Sequence, residues 1–271
     1  MASLTTTGSS VGWIFTITGG RTGTAWMTHL MHKNLGIEAI HEYKGVNDFG
    51  TRTPDIRVLR NFNTYGMNDV VKEFWSKKLA ALPVESGYFE ANHVLAKGGL
   101  LEALAARSDL PPITILLQRR AWVDQIVSYA VRHDFATITN LWQWFLVPDY
   151  PRRVVNPKTL LKAPGGLGAM AWYVFEIEAR QEYYRLLFSD KFRFIDCQLE
   201  DVITAPGARR LLTDFGWSGE PELPAKANEN KQAAPPRLRA QVKQFLSHIR
   251  FDAADVARKF VETGRRLGDH A

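Results

Sequence analysis

The chain has 271 residues, enough to bury a sizeable core as one α/β domain, and its hydrophobic share of 45% and charged share of 23% are ordinary for a globular protein. Its 34 Lys and Arg against 28 Asp and Glu leave a net charge of +6 and a pI near 9.4, which suits a polyanionic ligand; the basic residues are scattered and no zinc-finger or RNA-binding signature accompanies them, so nucleic acid is not expected. One cysteine, Cys197, excludes an intrachain disulfide, no stretch approaches the ~18 apolar residues of a membrane-spanning helix, and no basic region precedes an apolar run at the N-terminus.

Residues 1–12 are small and polar and read as a flexible leader, with 13–271 forming a single domain. Trp13 to Thr18 is β-branched and aromatic, a short strand. Gly19, Gly20 and Gly23 then allow a tight turn, and apolar residues recur at helical spacing from Thr24 until Gly36 ends the helix. Strand, glycine turn and helix in that order make a phosphate cradle, because the N–H groups of the first helical turn face the loop and the macrodipole adds to their attraction for an anion. The Walker consensus GxxxxGK[ST] is not met, since no lysine follows Gly23. Arg21 supplies the cation from inside the loop, flanked by the hydroxyls of Thr18, Thr22 and Thr24.

Ile37 to His41 is a short extended segment leading to Glu42. A polar stretch from Glu42 to Asp69 follows, with an extended run at Ile56 to Leu59; loops of that length inside compact domains tend to carry function. Asn68 or Asp69 caps a helix to about Leu82, Gly87 to Asn92 reads as a strand, and a helix from about Val94 to Arg107 ends before Pro111-Pro112. Ile113 to Leu117 is an unbroken apolar run, as in a strand buried on both faces of a parallel sheet. It ends in Gln118-Arg119-Arg120, and Trp122 to Arg132 shows helical spacing. Arg120 therefore stands at the carboxyl end of a strand, where ligands bind in open α/β sheets, with Ser128 eight residues further on.

Phe135 to Leu161 is irregular and carries Trp142, Trp144 and Tyr150, which either pin a long loop to the core or wall an apolar substrate pocket. Met170 to Phe188 is the longest helix, with Trp172, Phe175, Ala179 and Tyr183 on one face. Phe192 to Cys197 is a further strand in which Cys197 is a buried small residue rather than a nucleophile. Glu200 and Asp201 are structural, capping a helix that runs to Phe215. A linker past Trp217 reaches Lys226 and Lys231, and helices over Pro236 to Ile249 and Ala253 to Arg266 finish the domain.

The spelling Arg21-Thr22-Gly23-Thr24-Ala25-Trp26 resembles the 5′-phosphosulfate loop of sulfotransferases, whose usual form is Lys or Arg, Ser or Thr, Gly, Thr, Thr, then often Trp. Ala25 departs from the second threonine, removing one hydroxyl contact but no backbone donor. Arg120 and Ser128 resemble the family's second motif, an arginine at a strand end and a serine on the next helix that bind the 3′-phosphate of the nucleotide. A terminal phosphate is close to a dianion at neutral pH, and a guanidinium fork with a hydroxyl matches its oxygens. The segment Gln198-Leu199-Glu200-Asp201 resembles the family's acidic-leucine segment.

The resemblance implies an α/β fold with a P-loop-type parallel β-sheet flanked by helices on both faces. It implies transfer of a sulfuryl group from 3′-phosphoadenosine 5′-phosphosulfate to an acceptor hydroxyl, less readily an amine, of a small molecule, sugar or lipid, leaving adenosine 3′,5′-bisphosphate. Gly20, Arg21, Thr22, Gly23, Thr24, Ala25 and Trp26 would then hold the 5′ end of the donor, and Arg120 and Ser128 the 3′-phosphate. Lys226 and Lys231 close over that phosphate, although the Arg-Lys-Gly signature of the cytosolic enzymes is absent. A cytoplasmic location is expected, unlike the membrane-anchored Golgi members.

A neutral hydroxyl attacks poorly, so a general base must stand within hydrogen-bond reach of it. Glu42 is the first candidate, 21 residues after Arg21, the distance at which a glutamate falls in the tyrosylprotein and nodulation-factor sulfotransferases. His41 and His93 are its rivals, His93 being able to bind the acceptor or to sit in the core. Glu42 pairing with Lys44 is the bland alternative. His29 and His32 superficially suggest a metal pair, but no third well-spaced ligand accompanies them, and no metal is expected. A P-loop kinase or NTPase, and a non-catalytic phosphonucleotide-binding module, are the other classes the loop would serve.

Overall fold

The computed structural model describes residues 11–43, 45–135, 146–158, 160–162, 166–225 and 233–269. Five strands, β1 (Trp13–Ile17), β2 (Glu38–His41), β3 (Tyr88–Ala91), β4 (Ile113–Arg119) and β5 (Arg193–Gln198), form one parallel sheet in the order β2-β3-β1-β4-β5. This is the α/β architecture expected. β1 is central because all five of its residues are apolar or β-branched and buried, and it pairs Trp13 with Tyr88 on one side and Ile113 on the other.

Period-two alternation divides the sheet's side chains between two cores. Trp13, Phe15, Ile17, Ile115 and Leu117 point to one face, Ile14, Phe89, Leu116 and Cys197 to the other. The second face is covered by α1 (Thr24–Leu35), through Met27, Leu30 and Met31, and by Leu211 and Leu212 of a later helix. The first is covered by α2 (Ile56–Tyr65), α3 (Asp69–Ala80), α4 (Leu100–Ala105), α5 (Trp122–Val131) and the long α6 (Leu167–Phe188).

α6 departs from the expected one-sided helix. It starts at Leu167, and Tyr173, Val174, Glu176, Ile177, Arg180, Gln181 and Tyr184 are buried as well as the predicted stripe. A helix enclosed on all sides must satisfy its polar groups internally. The Nε and Nη2 of Arg180 bond Glu176 at 2.8 Å and Asn63 of α2 at 2.8 Å, while Glu176 also accepts from the backbone N–H groups of Val154 and Val155. Gln181 donates to the carbonyl of Ile17, tying α6 to the end of β1.

Other expectations are corrected. Ile56 to Leu59 is not extended but opens α2, because the Asp55 carboxylate accepts from the N–H groups of Arg57 and Val58 and nucleates the first turn. Val94 to Arg107 is not one helix: a 3₁₀ turn at Leu95–Lys97 is separated from α4 by Gly98 and Gly99, the latter left-handed at φ 83°. The segment after β5 is two helices, α7 (Leu199–Val202) and α8 (Ala205–Thr213), because Thr204 caps the second and Pro206 cannot continue the first. Thr204, not Glu200 or Asp201, is thus the cap. The last two helices, α9 (Pro236–Ser247) and α10 (Ala253–Glu262), end earlier than expected. No helix of the described residues is long and apolar enough to cross a membrane.

Candidate functional site

The carboxyl edge of the sheet gathers the loops that follow β1, β2, β3 and β4. From β1 the chain winds toward β2, and from β4 it winds toward β5 on the opposite side, so the order reverses between β1 and β4. That reversal opens a crevice at the strand ends. Both sequence motifs meet there.

The loop from Thr18 to Gly23 is held open by partners from three other elements. Gly20 and Gly23 take positive φ, 85° and 83°, a region glycine enters without strain. Gly23 is the N-cap of α1, no side chain caps that helix, and no acidic residue lies in its first turn, leaving its N-terminus electropositive. Tyr129 of α5 donates to the carbonyls of Gly19 and Gly20 at 2.8 and 3.0 Å, Gln125 donates to Gly20 at 2.8 Å, and Gln118 of β4 donates to the carbonyl of Thr22 at 2.7 Å. These bonds engage the carbonyls of Gly19, Gly20 and Thr22 and so fix the backbone of the loop.

The threonine hydroxyls have partners within the protein. The hydroxyls of Thr18 and Thr22, both buried, bond each other at 2.6 Å and brace the loop from within. Thr24 Oγ1 instead lies 3.0 Å from His41 Nε2. Ala25 and Trp26 sit in the core of α1; the Trp26 indole donates to the carbonyl of Pro224 at 3.1 Å, fastening the start of the C-terminal linker. Lys226 and Lys231, further along that linker, fall outside the described residues, as do Lys44, Trp142 and Trp144.

Arg21, at φ 59°, reaches across the crevice, and its Nε donates to Ser128 Oγ on α5 at 3.0 Å, 107 residues away. Arg120 Nη1 donates to the carbonyl of Arg21 at 3.0 Å. Its Nε is buried without a hydrogen bond among the described residues, 3.9 Å from Glu200 Oε1. Arg119 turns away, to Gln181, so the structure separates two arginines the sequence could not rank by contact. Burial lowers the Arg21 pKa below its ordinary value, and the guanidinium of Arg132 pushes the same way, while Asp134 opposes. Arg21, Arg120 and Arg132 stand close enough to act on one another, with Asp134 and Glu200 as the carboxylates beside them.

The second cluster lies beside the first. Glu42 follows β2 with φ 53°, and its Oε1 is 3.9 Å from both His41 Nε2 and His93 Nε2. All three candidate bases are therefore gathered around one carboxylate oxygen. His93, after β3, packs on the loop: a Cβ at Gly20 would stand 3.3 Å from the Cβ of His93. Arg21, Glu42 and His133 are the three non-glycine residues with positive φ among the described residues, and two of them carry proposed chemistry.

Several residues of this site were not anticipated. Lys97, fully buried, places Nζ 2.9 Å from His93 Nδ1 and 2.9 Å from the hydroxyl of Tyr173, which in turn donates to the carbonyl of Gly19. Burial pushes the Lys97 ammonium well below its ordinary pKa, the Glu42 carboxylate draws it back up, and Arg180 lowers it further. The i, i+4 spacing of His93 and Lys97 was the available signal. Gln125 and Tyr129 carry a similar one, polar residues at i and i+4 on an otherwise apolar helix.

Cys197 is buried, and burial pushes its thiol up to about 12, which removes it as a nucleophile. Tyr150 is a core residue that also borders a surface cavity of about 510 Å³ with Arg60, Thr64 and Val147, and that cavity shares no residue with the crevice. His29 and His32 are exposed on α1, and among the described residues no three His, Cys, Asp or Glu are grouped to hold a metal ion.

No protein-family model and no curated protein matches the chain. Among solved structures it is similar to a sulfotransferase from Alicyclobacillus acidocaldarius, with 14% sequence identity and a TM-score of 0.48, over 93% of this chain and 96% of that one.

Proposed function

We propose that the chain is a sulfotransferase using 3′-phosphoadenosine 5′-phosphosulfate as donor and a hydroxyl of a small molecule, sugar or lipid as acceptor. The observation that carries this reading is the hydrogen bond of Arg21 to Ser128, reinforced by that of Arg120 to the Arg21 carbonyl. Two motifs remote in sequence share one crevice, as a nucleotide with anionic groups at both its 5′ and 3′ positions requires. The buried Nε of Arg120 is a donor awaiting an acceptor, and the uncapped N-terminus of α1 is a second anion site. Both fit such a nucleotide.

In this reading Arg21, the α1 N-terminus and the loop N–H groups hold the 5′ phosphosulfate, with Arg120 and Ser128 on the 3′-phosphate. The donor supplies an activated sulfuryl group. An acceptor oxygen attacks sulfur in line, an O–S bond forms, and the bond from sulfur to the 5′-phosphate oxygen breaks, that oxygen leaving with the electron pair on adenosine 3′,5′-bisphosphate. Glu42 takes the acceptor proton, and Arg21 offsets the charge that grows on the leaving oxygen. Positioning and electrostatics carry most of the rate, by analogy with phosphoryl transfer.

The test is a screen of acceptor classes with donor labelled in its sulfuryl group, read as acceptor-dependent release of adenosine 3′,5′-bisphosphate. Retention on the immobilised bisphosphate without turnover on any acceptor would favour a binding module. Hydrolysis of a nucleoside triphosphate with no affinity for the bisphosphate would favour an NTPase.

A further inference from the structure

Glu42, His41 and His93 compete for one role, and the groups behind His93 decide whether it can fill it. The Tyr173 hydroxyl gives its proton to the carbonyl of Gly19 at 3.1 Å, so toward Lys97 its oxygen accepts. Lys97 Nζ lies 2.9 Å from His93 Nδ1, and an ammonium, having no lone pair, can only donate to it. An imidazole nitrogen that accepts a hydrogen bond carries no proton, so in the neutral ring the proton resides on Nε2. Nε2 is the atom that faces Glu42 Oε1, at 3.9 Å.

We infer that Lys97 is a positioning residue that holds His93 as the Nε2–H tautomer, so that the ring presents a donor toward Glu42 and leaves the carboxylate as the proton acceptor. The inference rests on the sulfotransfer reading for its consequence, but not for its observable. A ring whose Nε2 already bears hydrogen and whose Nδ1 is engaged has no lone pair to offer an acceptor hydroxyl. The same lysine reaches the phosphate loop through Tyr173 and Gly19, so the base and the cradle are set by one buried group. Its burial supports this, because a lysine enclosed in the core is retained only where its N–H groups are used. The ammonium form carries three N–H groups and no acceptor, so it can only donate to Nδ1, and the nearby Glu42 carboxylate favours that form.

The test is the ¹⁵N–¹H long-range correlation spectrum of histidine-labelled full-length protein above the histidine titration range, with His93 assigned from the spectrum of His93→Gln. In the wild type His93 is expected with a protonated Nε2 and a bare Nδ1. Lys97→Met should release Nδ1 and populate the other tautomer, whereas Tyr173→Phe, which leaves Lys97 in place, should keep Nε2–H. In turnover assays Lys97→Met should lower kcat by roughly tenfold or more with donor KM little changed. A proton on Nδ1 in the wild type, or a tautomer unmoved by Lys97→Met, overturns the inference. If Lys97→Met fails to fold, the wild-type spectrum decides alone. Finding the expected tautomer in a protein that transfers sulfuryl groups to no acceptor would sink the functional reading and leave the network standing.

Discussion

Replacing Arg120 by alanine separates a nucleotide site from a strand-end arginine. On the proposed function two things are lost. One is the charged partner of the 3′-phosphate, worth about 1.5–3 kcal/mol as a charge-assisted hydrogen bond, or roughly 10- to 150-fold in Kd. The other is the bond from Nη1 to the Arg21 carbonyl at 3.0 Å, a neutral acceptor worth about 0.5–1.5 kcal/mol, which shapes the loop for any 5′-phosphorylated nucleotide. Calorimetry with adenosine 3′,5′-bisphosphate should therefore show the sum, and with adenosine 5′-phosphosulfate only the second part. Glu200, at 3.9 Å from Arg120 Nε, keeps its contacts with the N–H of Ala121 and the amide of Gln198, so the start of α5 should stay anchored and the fold intact. Equal losses for the two nucleotides would refute the assignment of Arg120 to the 3′-phosphate.

Four further outcomes are expected. Glu42→Gln should lower turnover by ~10²-fold or more with donor affinity retained, measured beside His41→Ala and His93→Ala; near-normal turnover would move the base to one of the rings. Gly23→Ala forces a Cβ into a residue at φ 83° and against Leu199 Cδ1, so it should cost about 1–2 kcal/mol in urea unfolding and weaken bisphosphate binding, and adding Leu199→Ala should relieve the clash but not the backbone strain. Arg180→Met leaves Glu176 buried without its partner and should cost ~3–5 kcal/mol, read from the urea midpoint. Glu102, whose two carboxylate oxygens are enclosed although its stem is partly exposed, has a pKa raised from 4.5 to about 7, chiefly by burial. Because the folded value lies above the unfolded one, its contribution is full below about 4.5 and is lost as pH rises through about 7, a change of about 3 kcal/mol that Glu102→Gln should abolish.

The chain's own spelling determined the strand-loop-helix cradle, the buried β4 strand and the position of Arg120 at its end. These are local signals: β-branched and apolar runs, glycines where φ must be positive, and helical spacing after them. It also named the three candidate bases and, through the resemblance of its two motifs, the residues proposed for the two arms of a nucleotide site. What it missed locally were competing local interactions, such as the Asp55 cap that turns Ile56 to Leu59 into a helix and the Gly98-Gly99 pair that divides Val94 to Arg107. Only the tertiary structure could bring Arg21 against Ser128, turn Arg119 away from the crevice while Arg120 faces it, and set Glu42 between His41 and His93. Those contacts depend on the strand order β2-β3-β1-β4-β5, which places the ends of strands far apart in sequence side by side. Lys97 is the sharpest case: in sequence it is one more lysine after an apolar turn, and only the packing of α6, with Tyr173 over it, makes it a buried amine against His93. Burial is a property of the assembled layers rather than of the residue, and burial is what gives a lysine, a histidine tautomer or a carboxylate its chemistry.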